Sequence, residues 1–231
     1  MDRSRCKAGD GDEIETAMQL NSRMESYGGL NCRVIDALSE RQKPEAIMVL
    51  CHGFGAPGDD LAAFGPHLLD SSEDLAKRYR FVFPEAPIDL TPVGMPGGRA
   101  WWPINMAQLA EISQAKDYSK LTTVEPPGMS AASDQLASAV REIQQANGVD
   151  DSATVLGGFS QGAMVTCNIV LRDGFVPQLA VLFSGTLLNS DVWKEQAAKH
   201  AGCPVLQSHG RQDMVLPFAP AELLRDMLTE N

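Results

Sequence analysis

Residues 153–165 read ATVLGGFSQGAMV and set one serine, Ser160, between Gly158 and Gly162. The apolar residues before the serine predict a buried strand, and the run QGAMVTCNIVL after it predicts a helix. In the pattern GxSxG the glycines lack the Cβ atoms that would clash in a sharp strand-to-helix turn, so the hydroxyl protrudes at the end of the strand. This context predicts a nucleophilic serine. The alternative is a glycine-rich turn in which the serine is incidental, and such a turn would not require a strand before the serine and a helix after it.

Strands and helices alternate on both sides of this motif. Further strands are predicted in RFVFPEAP (80–87), QLAVLFSG (178–185) and PVLQSHG (204–210), and helices in 59–79, 130–148, 191–202 and 220–231. Strands separated by helices predict a mainly parallel sheet that is covered on both faces. The predicted fold class is therefore α/β.

A chain of 231 residues is long enough for one sizeable core, and we expect a single domain over residues 26–231. Residues 1–25 are polar and predict a frayed or loosely docked segment. The β-rich runs 30–38 and 46–52 flank a short polar connection, which predicts a hairpin. Residues 86–129 are dense in Pro, Gly, Trp and Met, and such an irregular insertion is typical of a lid or a substrate wall.

The chain has 19 basic and 30 acidic residues, a net charge of −11, and a field of that sign repels nucleic acids and anionic lipid surfaces. No stretch reaches the ~20 apolar residues of a spanning helix, so we expect no stable membrane insertion. Five scattered cysteines without a CxxC pair predict reduced thiols in the cytoplasm and no metal site. The oligomeric state stays open, a dimer included.

A serine that attacks an ester carbonyl creates an oxyanion, which preorganised backbone N–H groups stabilise. Gln161, directly after the nucleophile, is predicted to supply one donor at a helix N-terminus. The loop after the strand IMVLC is predicted to supply the second donor through Phe54, which lies between Gly53 and Gly55.

The same loop contains Gly53, Gly55 and Gly58 in the spacing GxGxxG, which is the fingerprint of dinucleotide binding after a strand. Asp59 and Asp60 follow directly and would bring negative charge to the position of a pyrophosphate. Pro57 removes an N–H group that a phosphate cradle would use. The sequence therefore favours an oxyanion loop over a dinucleotide site, and we expect no cofactor.

The motif HGRQDMVLP supplies Asp213 after the nucleophile in chain order, as the α/β-hydrolase layout requires of its acid, although aspartate is also common in turns. HGFG (52–55), GGFSQG (157–162) and HGRQDMVLP (209–217) together resemble the phospholipase/carboxylesterase family of α/β-hydrolases, which includes acyl-protein thioesterases. The resemblance covers residues from about 45 to the end. It implies an α/β-hydrolase fold, with Ser160 as nucleophile, Asp213 as acid, and Phe54 and Gln161 as oxyanion donors.

The resemblance further implies a catalytic histidine after Asp213, near position 240 or beyond, and the four histidines of this chain do not occupy that position. His52 and His209 resemble structural histidines of the family, and His67 and His200 fall in predicted helices. We therefore expect a C-terminally truncated hydrolase that lacks its last strand, its base and its closing helix. The strand 204–210 would then be an exposed edge.

The expected reaction is hydrolysis of a carboxylic ester or thioester through an acyl-enzyme, with no metal. The segment around RAWW (99–102) resembles the substrate side of the family, so Trp101, Trp102 and Met95 are candidate wall residues, although ordinary core packing would also explain them. The alternative is a non-catalytic module of hydrolase fold that binds acyl compounds. The sequence does not decide between these, nor does it give the acyl length.

Overall fold

The computed structural model describes residues 19–172, 174–199 and 201–230. The strands are β1 (Asn21–Tyr27), β2 (Leu30–Asp36), β3 (Ala46–Cys51), β4 (Tyr79–Pro84), β5 (Ile88–Asp89), β6 (Arg99–Ala100), β7 (Thr154–Phe159), β8 (Leu179–Phe183) and β9 (Val205–Ser208). The α-helices are α1 (Phe64–Ser71), α2 (Glu73–Arg78), α3 (Met106–Ala115), α4 (Ser119–Thr122), α5 (Met129–Asn147), α6 (Gln161–Arg172), α7 (Ser190–Ala197) and α8 (Phe218–Thr229).

Seven strands form one sheet in the order β1-β2-β4-β3-β7-β8-β9. The pairs β1–β2 and β2–β4 are antiparallel, and β4, β3, β7, β8 and β9 run parallel to one another. This arrangement agrees with the predicted mainly parallel α/β sheet. Because parallel strands end at the same edge of a sheet, the loops that follow β3, β7 and β9 all lie on one side of the molecule.

Successive residues of the central strands face opposite sides of the sheet, as the pleat requires. Val49 and Cys51 belong to the larger core cluster, which also receives side chains of α5, α6, α7 and α8, whereas Leu50 belongs to a smaller cluster with Leu69 of α1. Helices therefore cover both faces. Burial of large apolar side chains of this kind contributes about 1.5–3 kcal/mol each.

The helix predicted at 130–148 is α5, and it ends as its sequence indicates. Gly148 has a φ of 73°, and its N–H donates to the Gln144 carbonyl at 2.8 Å, so glycine closes the helix in the left-handed conformation that other residues disfavour. The run predicted as one helix at 59–79 is divided into a 3₁₀ turn, α1 and α2. The break lies at Ser72, whose extended backbone and hydroxyl cap α2.

At the N-terminal side, the predicted hairpin between residues 30–38 and 46–52 is wrong, and the predicted loose segment 1–25 is wrong for residues 21–25. The hairpin joins β1 to β2 through Gly28 and Gly29, both at positive φ, and β2 does not pair with β3, which lies between β4 and β7. The segment 1–25 was expected to be loose, but residues 21–25 are part of β1, where seven residues pair with β2. Residues 1–18 lie outside the described part of the chain.

The insertion at 86–129 contains more regular structure than its composition predicts. It holds the β5–β6 pair, a 3₁₀ turn at Thr91–Val93, and the helices α3 and α4. At the opposite end of the sheet order, β9 is the edge strand among the described residues. Its Val205 and Leu206 are exposed.

Candidate active site

Ser160 occupies the corner between β7 and α6 in a conformation that serine rarely adopts. Its φ is 53°, in the left-handed region, which disfavours residues that carry a Cβ atom. The Ser160 N–H donates to the Phe183 carbonyl of β8 at 2.8 Å, and the Ser160 carbonyl accepts from Met164 at 3.1 Å as α6 begins. The surrounding hydrogen bonds hold the strained corner, and the side chain of Ser160 remains partly exposed.

The glycines around the serine are required by backbone contacts. A Cβ atom on Gly158 would lie 2.5 Å from the Cys51 carbonyl oxygen and 2.6 Å from the Gly162 carbonyl carbon. A Cβ atom on Gly53 would lie 3.3 Å from the Cβ atom of Ser160. Ser160 therefore faces the loop after β3. A side chain on Gly158 would overlap backbone atoms, whereas one on Gly53 would make only tight contacts.

The two predicted oxyanion donors, Phe54 and Gln161, lie on the loop after β3 and at the first residue of α6. Within the described residues, neither backbone N–H group takes part in a hydrogen bond, although the neighbouring Gly55 N–H donates to the Arg99 carbonyl at 2.9 Å. Unpaired N–H groups beside a serine hydroxyl are suited to accept a developing negative charge. The loop continues into a short 3₁₀ turn, Asp60–Ala63, and does not lead directly into an α-helix of the kind that binds a pyrophosphate.

Asp213 lies in the loop after β9. Its Oδ1 accepts hydrogen bonds from the N–H groups of Val215 at 2.9 Å and Leu216 at 2.8 Å, which fixes the carboxylate. Its Oδ2 lies 3.7 Å from Nε2 of His209. Since the Ser184 N–H donates to the Ser208 carbonyl at 2.8 Å, the ends of β7, β8 and β9 are joined in sequence by hydrogen bonds, and Ser160 and Asp213 emerge from the same edge of the sheet.

The ring of His52 is buried and both of its nitrogens are engaged. Nδ1 lies 2.8 Å from the Gly53 carbonyl, and Nε2 accepts the Ala86 N–H at 3.1 Å, so the neutral ring carries its proton on Nδ1. Burial lowers the pKa of His52, with the Gly53 carbonyl opposing the shift. His52 therefore holds the loop after β3 in place and has no nitrogen available for Ser160.

His209 is also enclosed, with a side chain that is 3% exposed. Its Nδ1 lies 3.1 Å from the Gly185 carbonyl and its Nε2 lies 2.8 Å from the Leu216 carbonyl. Both nitrogens therefore face backbone acceptors, and His209 joins the loop after β8 to the loop that carries Asp213. His67 is exposed on α1, and His200 lies outside the described residues.

A cavity of about 370 Å³ opens between α6 and the insertion. Its lining includes Trp102, Met164 and Leu216. Met164 is one turn along α6 from Ser160, and Leu216 lies in the loop that carries Asp213. The rest of the lining is mostly apolar and comes largely from the insertion: Pro103, Ile104, Asn105, Leu109, Ile112, Lys120, Leu121, Val124, Pro126, Pro127 and Leu188. An apolar cavity with few polar groups is suited to a hydrocarbon chain.

The three predicted wall residues have different positions. Trp102 lines the cavity. Trp101 does not line it, and its indole N–H donates to the His52 carbonyl at 3.0 Å. Met95 lies instead against the loop after β3, where its Cε would be 2.6 Å from a Cβ atom on Gly55. Trp101 and Met95 are therefore not part of the lining of this cavity, and their role as substrate walls stays a prediction.

The sequence reasoning missed the side chain of Gln161 and most of the cavity. Leu109 and Ile112 follow the i, i+3 spacing of one helix face, which is the signal that could have revealed α3 as a cavity wall. No helix in the described ranges is long and apolar enough to cross a bilayer. Those ranges also contain no cluster of three or more His, Cys, Asp or Glu side chains arranged for a metal ion.

Comparisons with known proteins by family model, by sequence and by structure all identify esterases or thioesterases as similar to this chain. Residues 31–231 match the model of a family described as Phospholipase/Carboxylesterase. Acyl-protein thioesterase 1 of Eremothecium gossypii is 26% identical over 191 residues, which cover 81% of this chain and 74% of that protein. Acyl-protein thioesterase 1 of Yarrowia lipolytica is 28% identical over 194 residues, 79% of this chain and 76% of that protein. The crystal structure of esterase PE8 is 26% identical, with a TM-score of 0.65 over 92% of this chain and 84% of that chain.

Proposed function

The chain belongs to the phospholipase/carboxylesterase family, and from this premise we propose that it hydrolyses carboxylic esters or thioesters of acyl chains with Ser160 as the nucleophile. The observation that carries the proposal is the position of Ser160. It has a φ of 53° at the end of β7, and its Cβ atom is directed to Gly53. The N–H groups of Phe54 and Gln161 on the adjoining backbone have no hydrogen-bond partner among the described residues.

In the proposed reaction, the Ser160 hydroxyl attacks the carbonyl carbon of the ester and transfers its proton to a base. The N–H groups of Phe54 and Gln161 stabilise the oxyanion that forms, and loss of one such donor costs about 3 kcal/mol in well-studied hydrolases. The alcohol or thiol leaves, and water then attacks the acyl-enzyme to release the acid.

We assign the acid role to Asp213, since the two N–H groups on its Oδ1 fix the carboxylate and leave Oδ2 to orient a protonated imidazole. The base is not among the described histidines, because His52 and His209 have both nitrogens engaged and His67 is on the exposed side of α1. A serine hydrolase without its base can lose about a million-fold in kcat.

The cavity supports an acyl chain as the part of the substrate that is recognised. The volume of about 370 Å³ is more than twice that of an engineered apolar cavity of about 150 Å³ that binds benzene, so it can hold a chain of several methylene groups. We therefore propose a straight acyl chain of medium length. The cavity lining does not indicate which alcohol or thiol the ester carries.

The test uses an octyl fluorophosphonate, which forms a covalent adduct with an activated serine, and intact-mass spectrometry of the 231-residue protein. We expect a single adduct that requires Ser160, is absent in Ser160→Ala, and forms faster when imidazole is added as an external base. A reaction that is equally fast in Ser160→Ala would disprove the nucleophile.

A second candidate is a non-catalytic module that binds acyl compounds, and the engaged nitrogens of His52 and His209 favour it. It predicts that the protein binds decanol but forms no adduct at Ser160, even with imidazole. The same experiment therefore separates the two candidates.

A further inference from the structure

The carboxamide of Gln161 is the side chain that follows the nucleophile, and it is fully buried. Its Oε1 accepts the backbone N–H of Trp101 at 2.9 Å, and its Nε2 donates to the backbone carbonyl of Trp102 at 2.8 Å. The two hydrogen bonds pair one amide side chain with two successive residues of the insertion. They fix the segment Trp101–Trp102, whose second residue lines the cavity, against the start of α6.

Trp101 also contacts the loop after β3, which carries the other proposed oxyanion donor, Phe54. Its indole N–H donates to the His52 carbonyl at 3.0 Å. A second hydrogen bond between this loop and the insertion runs from the Gly55 N–H to the Arg99 carbonyl at 2.9 Å. The two proposed oxyanion donors, Phe54 and Gln161, are thus on separate elements that are joined through Trp101. The ring of Trp102, on the same segment, lines the acyl cavity.

We propose that the Gln161 side chain is a positioning residue that couples the acyl cavity to the oxyanion site and thereby sets the preference of the protein for longer acyl chains. The proposal rests on the function proposed above. An acyl chain in the cavity packs against Trp102, and Trp102 is hydrogen-bonded to the Gln161 side chain. Filling of the cavity therefore stabilises the aligned position of the Gln161 N–H group. A short acyl group does not reach the wall and gains nothing from the coupling.

Gln161→Met tests the coupling, since methionine has a similar size but neither hydrogen bond. It leaves the buried Trp101 N–H and Trp102 carbonyl unpaired, and we expect roughly tenfold weaker binding of decanol, measured by tryptophan fluorescence. The ratio of labelling rates for octyl over methyl fluorophosphonate should fall by about the same factor, because only the octyl chain reaches Trp102.

Gln161→Glu adds a readout that a purely structural role would not change. A protonated carboxyl can donate to the Trp102 carbonyl and accept from the Trp101 N–H, as the amide does, whereas a carboxylate repels that carbonyl. Burial favours the neutral form, so decanol binding and the octyl preference should be close to wild type at about pH 5 and reduced at about pH 8.

Gln144→Glu is the matched control. Gln144 is buried, and its Nε2 donates to Asp151 at 2.9 Å and to Thr154 at 3.0 Å, at the opposite end of β7 from Ser160. This variant should lose stability with rising pH, while decanol binding and the octyl-to-methyl ratio stay at wild-type values wherever it is folded.

The proposal is overturned if folded Gln161→Met keeps the wild-type octyl preference, if the loss in Gln161→Glu does not depend on pH, or if Gln144→Glu shows the same loss. Unfolding of both Gln161 variants at about pH 5, where the carboxyl should replace the amide, would also overturn it. Decanol binding does not use the serine hydroxyl. Failure of the proposed function would therefore appear separately, as wild-type protein that binds decanol but forms no adduct at Ser160.

Discussion

Gly162 approaches the Cys51 carbonyl so closely that a Cβ atom on Gly162 would lie 2.0 Å from that oxygen. The contact joins the first turn of α6 to the end of β3, directly beneath the serine corner. Because both partners are backbone, no side-chain rotation can relieve a substitution. The second glycine of the GxSxG pattern is thus required by the packing of strand against helix, independently of the chemistry of the serine.

Gly162→Ala should therefore destabilise the fold severely, by about 3 kcal/mol or more in the free energy of unfolding. Denaturant unfolding measures the loss. Gly210→Ala is the control, since the nearest atoms to its Cβ atom would be Asp213 N at 3.9 Å and Asp213 Cβ at 4.0 Å. Equal loss in the two variants would contradict the steric argument.

The strained backbone of Ser160 leads to a second prediction. With a φ of 53°, a residue that has a Cβ atom is disfavoured by about 1–2 kcal/mol, and glycine removes this strain. Ser160→Gly should therefore be more stable than Ser160→Ala by about 1 kcal/mol after the greater flexibility of unfolded glycine is considered. Neither variant should form an adduct with the fluorophosphonate. A Ser160→Gly protein less stable than Ser160→Ala would show that the corner is not strained.

The Asp213 carboxylate has a structural contact and a proposed catalytic role, and substitutions can separate the two. Asp213→Ala removes the acceptor of two N–H groups and should lower the free energy of unfolding by about 1–3 kcal/mol. Asp213→Asn keeps an oxygen at Oδ1 and should stay near wild-type stability, while imidazole accelerates its labelling less because the charge is lost. Equal destabilisation by both variants would show that the charge, and not the turn, holds the loop.

The sequence predicted the geometry of the Ser160 corner well because its requirements are local. Glycines at 158 and 162, a strand before Ser160 and a helix after it occupy one short stretch, and backbone sterics alone select them. The parallel sheet was predictable for a similar reason, since the alternation of strands and helices leaves few other arrangements.

The walls of the cavity and the strand partners depend on distant contacts and could not be predicted in the same way. Trp101 and Trp102 are adjacent and chemically identical, yet one is tied to His52 in the core and the other lines the cavity. The strand β2 pairs with β1 and β4, although β3 follows it in the chain. The roles of Ser160, Asp213, Phe54 and Gln161, and the cytoplasmic location, stay predictions.

Buried neutral His52 makes a pH-dependent contribution to stability. Burial lowers its pKa below the ordinary 6.5, so the unfolded chain binds a proton where the folded chain does not. The free energy of unfolding should fall as the pH decreases below 6.5. This group contributes a slope of at most about 1.4 kcal/mol per pH unit, and the loss disappears as the pH rises above 6.5.

His52→Gln checks the prediction, because an amide can also donate to Gly53 and accept from Ala86 but does not titrate. Its absolute stability is expected to differ from wild type, but its free energy of unfolding should depend less on pH between about 5 and 7. His67→Gln, at an exposed histidine, should keep the wild-type slope. An unchanged slope in His52→Gln would exclude His52 as the source.

Filling the cavity should shorten the acyl chains that the protein accepts. Leu121 of α4 lines the cavity and is partly buried, so tryptophan at this position can occupy the space without replacing a fully enclosed core side chain. Leu121→Trp should reduce the octyl-to-methyl ratio of fluorophosphonate labelling by about tenfold, since a chain that loses two buried methylenes loses about 1.6 kcal/mol. Leu223→Trp, at a half-exposed position of α8, is the control for a bulky substitution outside the cavity. If both variants labelled with the wild-type ratio, the acyl chain would have to bind elsewhere on the face that carries Ser160.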